Sequence, residues 1–365
     1  MKYFSLEDIK KRNARYNIIF SERSNGKTYS VLLEGLKTYL KTGKQLAIVR
    51  RFREDFKGKR GRFLFDTLID NGKHENMIKK LSDGKYTGCT YYAQCWYLTR
   101  YDDKLKKEVM IDDPIAFSFA LTEEQHEKSS SYPRITTVMF DEFLTRGMYL
   151  PDEFTNFQSI ISTIVRGRDD VKIYMLGNTV SKFSPYFTEM GLKHISKMNK
   201  GDIDVYNYGD SGLKVAVQYA ETTQKFGGKK SDVYFAFDNE KLNMITSGDW
   251  EFDFYPHNMI KYKKNDIKFT FIIIFDSYYY QGDVVCTSDN NFLFIHRKST
   301  PLQDPDNDII FTTEYNQRYN YFRNILKPTN NITKKIAQYF REDNVYYQDN
   351  EVGDAINHYL LLCKQ

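Results

Sequence analysis

The sequence is poor in cysteine, and none of its cysteines stands in a metal-binding or redox spacing. Cys89, Cys95, Cys286 and Cys363 form no CxxC pair and no Cys/His cluster. This excludes a zinc ribbon and a thioredoxin-type centre, and isolated thiols fit a reducing cytoplasm. Long apolar runs are also missing. The longest, FTFIIIF at 269–275, falls well short of the roughly 20 residues that a bilayer span needs, so it reads as a buried strand. The opening MKYFSLEDIKKRN has no apolar stretch, so no secretory signal and no membrane association are expected. Nor is there a strong excess of one charge. The net charge is only +5, and it is unevenly spread. What is plentiful is aromatic residues, with 29 tyrosines and 27 phenylalanines in a chain of 41% hydrophobic content. A globular chain of 365 residues points to two domains, each large enough for its own core.

One glycine is missing where it would be informative. SERSNGKTYS at 21–30 ends like a phosphate-binding loop, G-x-x-x-x-G-K-[ST], but Ser21 stands in place of the first glycine and Arg23 lies inside the loop. The flanks decide how to read it. YNIIF (16–20) reads as a strand. TYSVLLEGLKTYLKTG (28–43) has helical periodicity, with Val31, Leu32, Leu36 and Leu40 on one face and Gly43 as a stop. A loop between strand and helix can hold phosphates on its backbone N–H groups and the helix N-terminus. Ser21, Arg23, Ser24, Asn25, Gly26, Lys27 and Thr28 are the candidate nucleotide contacts, with Lys27 for the β/γ-phosphates and Thr28 for Mg²⁺. The plainer reading is a glycine turn ahead of an amphipathic helix, favoured by the lost glycine.

Further along, QLAIVR (45–50) reads as a second strand, and RRFREDFKGKRGR (50–62) is the densest basic run. Residues 86–120 alternate like an antiparallel β insertion at a sheet edge. RITTVMFDEF (134–143) is a buried strand ending in Asp141 and Glu142. A P-loop ATPase needs such a pair, with Asp141 holding Mg²⁺ through water and Glu142 polarising the attacking water. Acids decorating a helix N-terminus are the alternative. VKIYMLGNTV (171–180) is another strand, whose Asn178 is placed either to sense the γ-phosphate or merely to make a turn. A helix over 157–170 ends in Arg166 and Arg168. Either arginine can serve a neighbouring site as a finger or act as a C-terminal cation.

In this order the residues resemble the DNA-packaging ATPases (encapsidation proteins) of small tailed phages of the phi-twenty-nine type, relatives of terminase large subunits. The pieces are Arg23 with Gly26-Lys27-Thr28, Val49-Arg50-Arg51, Glu127-Lys128-Ser129 with Tyr132-Pro133, Phe140-Asp141-Glu142-Phe143, Arg166-Gly167-Arg168, Asn178 and Pro185-Tyr186-Phe187. Terminase-like loops commonly carry an arginine and relax the glycine pattern. Ser21 and Ser24 depart from the glycine or small residues usual in the family. The likeness covers 16–190 well and the remainder loosely.

The resemblance implies an α/β P-loop ATPase domain of the ASCE type (1–220), a linker (221–250) and a smaller RNase H-like domain (251–365). It implies ATP and Mg²⁺ as cofactors. It also implies a homo-oligomeric ring, a pentamer in the family, that moves double-stranded DNA through a portal protein in the host cytoplasm, in some members with a packaging RNA. Arg166 aligns with the family's trans-acting finger. Arg51, Arg53, Lys57, Lys59 and Arg60 are candidate contacts to DNA phosphates, or a solvated face. Strands are expected at 267–276, 283–288, 291–299 and 308–315, with helices around 316–326, 333–341 and 351–363. Asp276 and Asp354 are the candidate remnants of a nuclease site. With no middle carboxylate in a clear position, two-metal cleavage is not expected. Another nucleic-acid-dependent P-loop ATPase, such as a helicase, and a terminase with a live nuclease are the alternatives.

Overall fold

The structure, a computed structural model, describes residues 4–23, 25–70, 75–123, 130–145, 147–221, 253–302, 304 and 306–364. The chain separates into two compact units, Met1–Trp250 and Glu251–Gln365. Almost all of the expected linker, 222–250, lies outside the described residues.

The first unit is built on β1 (Tyr16–Ser21), α1 (Lys27–Thr42), β2 (Gln45–Arg50), β3 (Gly88–Tyr92), β4 (Cys95–Asp102), β5 (Lys107–Ala120) and β6 (Ile135–Asp141). It continues with α2 (Glu153–Val165), β7 (Lys172–Asn178), α3 (Pro185–Glu189), β8 (Ile203–Tyr208) and β9 (Leu213–Tyr219). The strands form one sheet in the order β3-β4-β5-β2-β6-β7-β1-β9-β8. From β2 to β9 all neighbours are parallel. β7 lies between the loop strand β1 and the acid strand β6, which is the ASCE arrangement. All six residues of β1 are buried, as expected of a strand covered on both faces, where apolar residues run continuously instead of alternating. α1 lays Val31, Leu32, Leu36 and Tyr39 against the core and stops at Gly43, in the left-handed conformation.

The β insertion does form at the sheet edge, but it is not a separate flap. β3 and β4 pair antiparallel, and the second half of β5 joins β2 in parallel, Leu46 opposite Ala116. Trp96 on β4 is fully buried, rests on Phe56 and Phe65, and donates from Nε1 to the Gly61 carbonyl at 2.8 Å. The basic run therefore folds back onto the insertion in short helical turns. α2 begins at Glu153 and ends at Val165, earlier at both ends than periodicity implied, with Arg166 as a left-handed C-cap at φ 40°.

The second unit holds β10 (Ile267–Phe275), β11 (Tyr278–Cys286), β12 (Asn291–Arg297), β13 (Ile310–Thr312), β14 (Tyr321–Phe322), α4 (Asn331–Arg341), β15 (Val345–Tyr347) and α5 (Asn350–Lys364). The order β14-β13-β10-β11-β12-β15, with β10–β12 an antiparallel meander and β13 and β14 parallel beside β10, is an RNase H-like core. The helix expected at 316–326 is not formed; β14 and turns occupy it. Asn316 Oδ1 accepts from the Arg318 amide at 3.0 Å, and Asn324 Oδ1 from the Leu326 and Lys327 amides at 2.8 and 3.1 Å. Such local bonds draw backbone donors away from a helix, and Pro328 follows. β11 starts at Tyr278 instead of 283, and β15 was not anticipated.

Candidate nucleotide site

Parallel strands deliver their carboxyl ends to one edge of the sheet, where α/β folds commonly bind ligands. Here Ser21 of β1 lies opposite Asn178 of β7, and Leu176 of β7 opposite Asp141 of β6. The chain then turns through Gly26, at φ 86°, into the first turn of α1. A glycine suits that left-handed position, and the first amides of the helix are left without intrahelical partners. Asn25 Nδ2 donates to Ser21 Oγ at 3.1 Å and to the Glu221 carbonyl at 3.2 Å, so the missing first glycine is replaced by a loop tied through Ser21. Ser24 lies outside the described residues.

Lys27 is buried and donates to Ser21 Oγ (2.8 Å), the Glu22 carbonyl (2.9 Å) and Asn178 Oδ1 (3.3 Å). Burial pushes its ammonium down to about 8, with Asp141 and Glu22 resisting the shift. Thr28 Oγ1 donates to Asp141 Oδ1 at 3.0 Å, and Arg50 Nη2 holds Asp141 Oδ2 at 2.7 Å. Thr28 and Asp141 suit Mg²⁺. The Thr28 hydroxyl and the Asp141 carboxylate, 3.0 Å apart and hydrogen-bonded to each other, are hard oxygen donors of the kind Mg²⁺ takes, directly or through water. One carboxylate and one hydroxyl leave most positions to phosphate and water, as Mg²⁺ prefers. Among the described residues no group of three or more His, Cys, Asp or Glu could hold a metal.

Arg23, Asn25, Lys27, Thr28, Asp141, Glu142 and Asn178 line one cleft of about 770 Å³. Glu142 is exposed there, with its backbone at φ 61°. Gly177 lets Leu144 and Phe143 pack closely against the end of β7, since a Cβ on it would come within 2.9 Å of both. Thr67 and Asp70 also line the cleft. No motif marks them; the fold-back of the basic run brings them in.

Arg51 also borders this cleft, whereas the remaining expected residues lie outside it. Arg166 is exposed at the far end of α2. Arg168 is structural: its Nη2 donates to the Ile135 and Ile164 carbonyls, each at 2.8 Å. Ile135 opens β6 and Asp141 closes it, about 20 Å away at 3.3 Å per residue. Arg51, expected on a basic surface, is not at the surface. It is buried and ion-paired with Glu153 at 2.8 Å, because it follows a core strand. Arg53, Lys57, Lys59 and Arg60 are exposed. Arg53 pairs with Glu123, Lys57 with Glu54 at 2.9 Å and Arg60 with Asp55 at 3.8 Å. The Glu127-Lys128-Ser129 motif lies outside the described residues. In the second unit Asp276 and Ser277, at φ 50° and 66°, make the two-residue turn between β10 and β11, a conformation that suits Asp in hairpins. Asp354 is buried in α5, 3.5 Å from Tyr255 Oη.

Comparison with known proteins agrees with this architecture. The chain is 29% identical over 182 residues to a DNA packaging protein of Bacillus phage B103, an alignment spanning 48% of each chain; it thus spans about half the length of that relative. It is 24% identical over 273 residues to the DNA packaging protein of Bacillus phage PZA, covering 72% of this chain and 69% of the relative. It aligns over its whole length with 99% of a chain in the bacteriophage Phi-29 viral genome packaging motor assembly, at TM-score 0.55 and 19% identity. This last likeness speaks for the fold alone. A sequence model of the podovirus DNA encapsidation protein (Gp16) family matches residues 1–365, and the chain belongs to that family.

Proposed function

We propose that the chain is an ATP-hydrolysing motor subunit, acting in a homo-oligomeric ring, that drives double-stranded viral DNA through the portal into a procapsid in the host cytoplasm. The observation that carries this reading is the meeting of Lys27, Thr28, Asp141, Glu142 and Asn178 at the carboxyl edge of adjacent parallel strands. Family membership supplies the DNA and the capsid. The loop amides and Lys27 bind the phosphates, and their negative charge restores the ammonium that burial disfavours. Thr28 and Asp141 would hold Mg²⁺, which when bound neutralises charge building on the β- and γ-phosphates. Glu142 orients and polarises the attacking water. Asn178, already 3.3 Å from Lys27 Nζ, reports on the γ-phosphate. Arg166, exposed at the end of α2 opposite Glu153, serves the neighbouring subunit as a finger. The second unit binds a partner and does not cut DNA.

The test is ATP turnover with DNA, with and without procapsids. Procapsids carrying the portal should raise the DNA-stimulated rate, whereas a helicase would be indifferent to them. Glu142→Gln should retain ATP binding and turn over about 10²–10⁴-fold more slowly. Near-normal turnover of that variant would remove Glu142 from the mechanism.

A further inference from the structure

We infer that Arg51, anchored on Glu153, is a positioning residue that holds the backbone of Glu142 in its working conformation. The inference rests on the proposed role of Glu142. Arg51 Nε and Nη2 each meet a different Glu153 oxygen at 2.8 Å. The same guanidinium donates to the Phe143 carbonyl at 2.9 Å and, more loosely, to the Glu142 carbonyl at 3.4 Å. It therefore clamps the two residues that follow Asp141. The clamp is itself immobilised. Tyr186 Oη donates to Glu153 Oε1 and the Leu150 amide to Oε2, each at 2.8 Å. The guanidinium lies 5.2 Å from the Tyr149 ring centre, and Phe143 packs edge-on against Tyr186 and Phe187.

Glu142 needs such a hold. At φ 61° it occupies a region sparsely populated by residues other than glycine, which persists only where surroundings enforce it. Rotating that peptide would swing the exposed carboxylate across the cleft. A buried ion pair adds little to stability compared with apolar packing, so its placement beside the proposed base points to position. Arginine suits the task because its rigid fork can serve a carboxylate and two carbonyls at once, which a lysine ammonium cannot. The arrangement also joins the Glu142 turn to Glu153, the first residue of α2, whose far end carries Arg166.

The experiment compares wild type, Arg51→Lys, Glu142→Gln and the double variant, reading kcat, KM for ATP and the dissociation constant of a fluorescent ATP analogue. A misplacement of about 1 Å costs on the order of 10² in rate. Arg51→Lys should therefore lower kcat by about 10–10², with KM and analogue affinity changed less than about threefold. In the Glu142→Gln background the same change should cost less than about twofold, since Arg51 acts through Glu142. Equal losses in both backgrounds, a kcat close to wild type, or a loss confined to KM would each overturn the inference. If Arg51→Lys fails to fold, Glu153→Gln, which keeps shape and one carbonyl acceptor, is read by the same criteria. Normal turnover in Glu142→Gln alone would instead refute the role of Glu142.

Discussion

Replacing Glu153 by alanine should be the most damaging single change in the first unit outside the apolar core. Its side chain is 0% exposed and that of Arg51 9%. Alanine would leave the guanidinium buried without its counter-ion, and would strip acceptors from Tyr186 Oη and the Leu150 amide. Breaking a buried pair in this way costs about 3–5 kcal/mol. At roughly 2–4 °C per kcal/mol for a domain of this size, the melting temperature of this unit should fall by about 6–20 °C. The exposed pair Lys57–Glu54, with side chains 64% and 63% exposed, is the internal control, and Glu54→Ala should leave the urea midpoint close to that of wild type. A double variant, Arg51→Met with Glu153→Leu, removes both charges together. It should be less destabilised than Glu153→Ala, although the two orphaned donors, at about 1–3 kcal/mol each, keep it below wild type. Urea midpoints followed by circular dichroism, compared at constant m, measure all of these. A loss below about 1 kcal/mol in Glu153→Ala, or a double variant as unstable as the sum of its singles, would refute the argument that an uncompensated buried charge sets the cost.

Arg166→Ala should fold and bind ATP but fail in turnover, and mixing it with Glu142→Gln subunits should restore activity, because each supplies what the other lacks; a C-cap alone would cost about 0.3–1 kcal/mol and leave the ATPase intact. Reversing the charges of Lys57, Lys59 and Arg60 together should weaken DNA binding and flatten its dependence on salt, and an unchanged salt slope would return the run to a solvated face. His296 is held above its usual range by its bond to Asp283, against opposing burial. Its stabilisation is therefore complete below about pH 6.5 and disappears as pH rises through the higher folded value. The stability gap between wild type and Asp283→Asn should accordingly shrink with rising pH, and a constant gap would contradict it. The full chain should leave plasmid DNA intact in excess Mn²⁺, and cleavage abolished by Asp276→Ala or Asp354→Ala would show a live nuclease.

The elements around the cleft were legible because parallel strands buried on both faces are written as unbroken apolar runs, and β1, β6 and β7 each carry one. The chemistry at their ends was legible because a Lys-Thr loop and an Asp-Glu pair have few other uses in that setting. Arg51 was not legible. It stands in the densest basic run, where charge usually means solvent, and its partner Glu153 lies 102 residues away. The helix expected at 316–326 and not formed shows a similar limit, since it is the asparagine side chains that capture nearby amides there. One local clue did exist for the arginines. Successive side chains leave an extended chain on opposite sides, so neighbouring arginines at a strand end cannot face the same partner. Arg50 reaches Asp141 and Arg51 reaches Glu153. A pair of cations that reads as one patch in the sequence is thus divided by the strand between the metal-side carboxylate and the turn that carries Glu142.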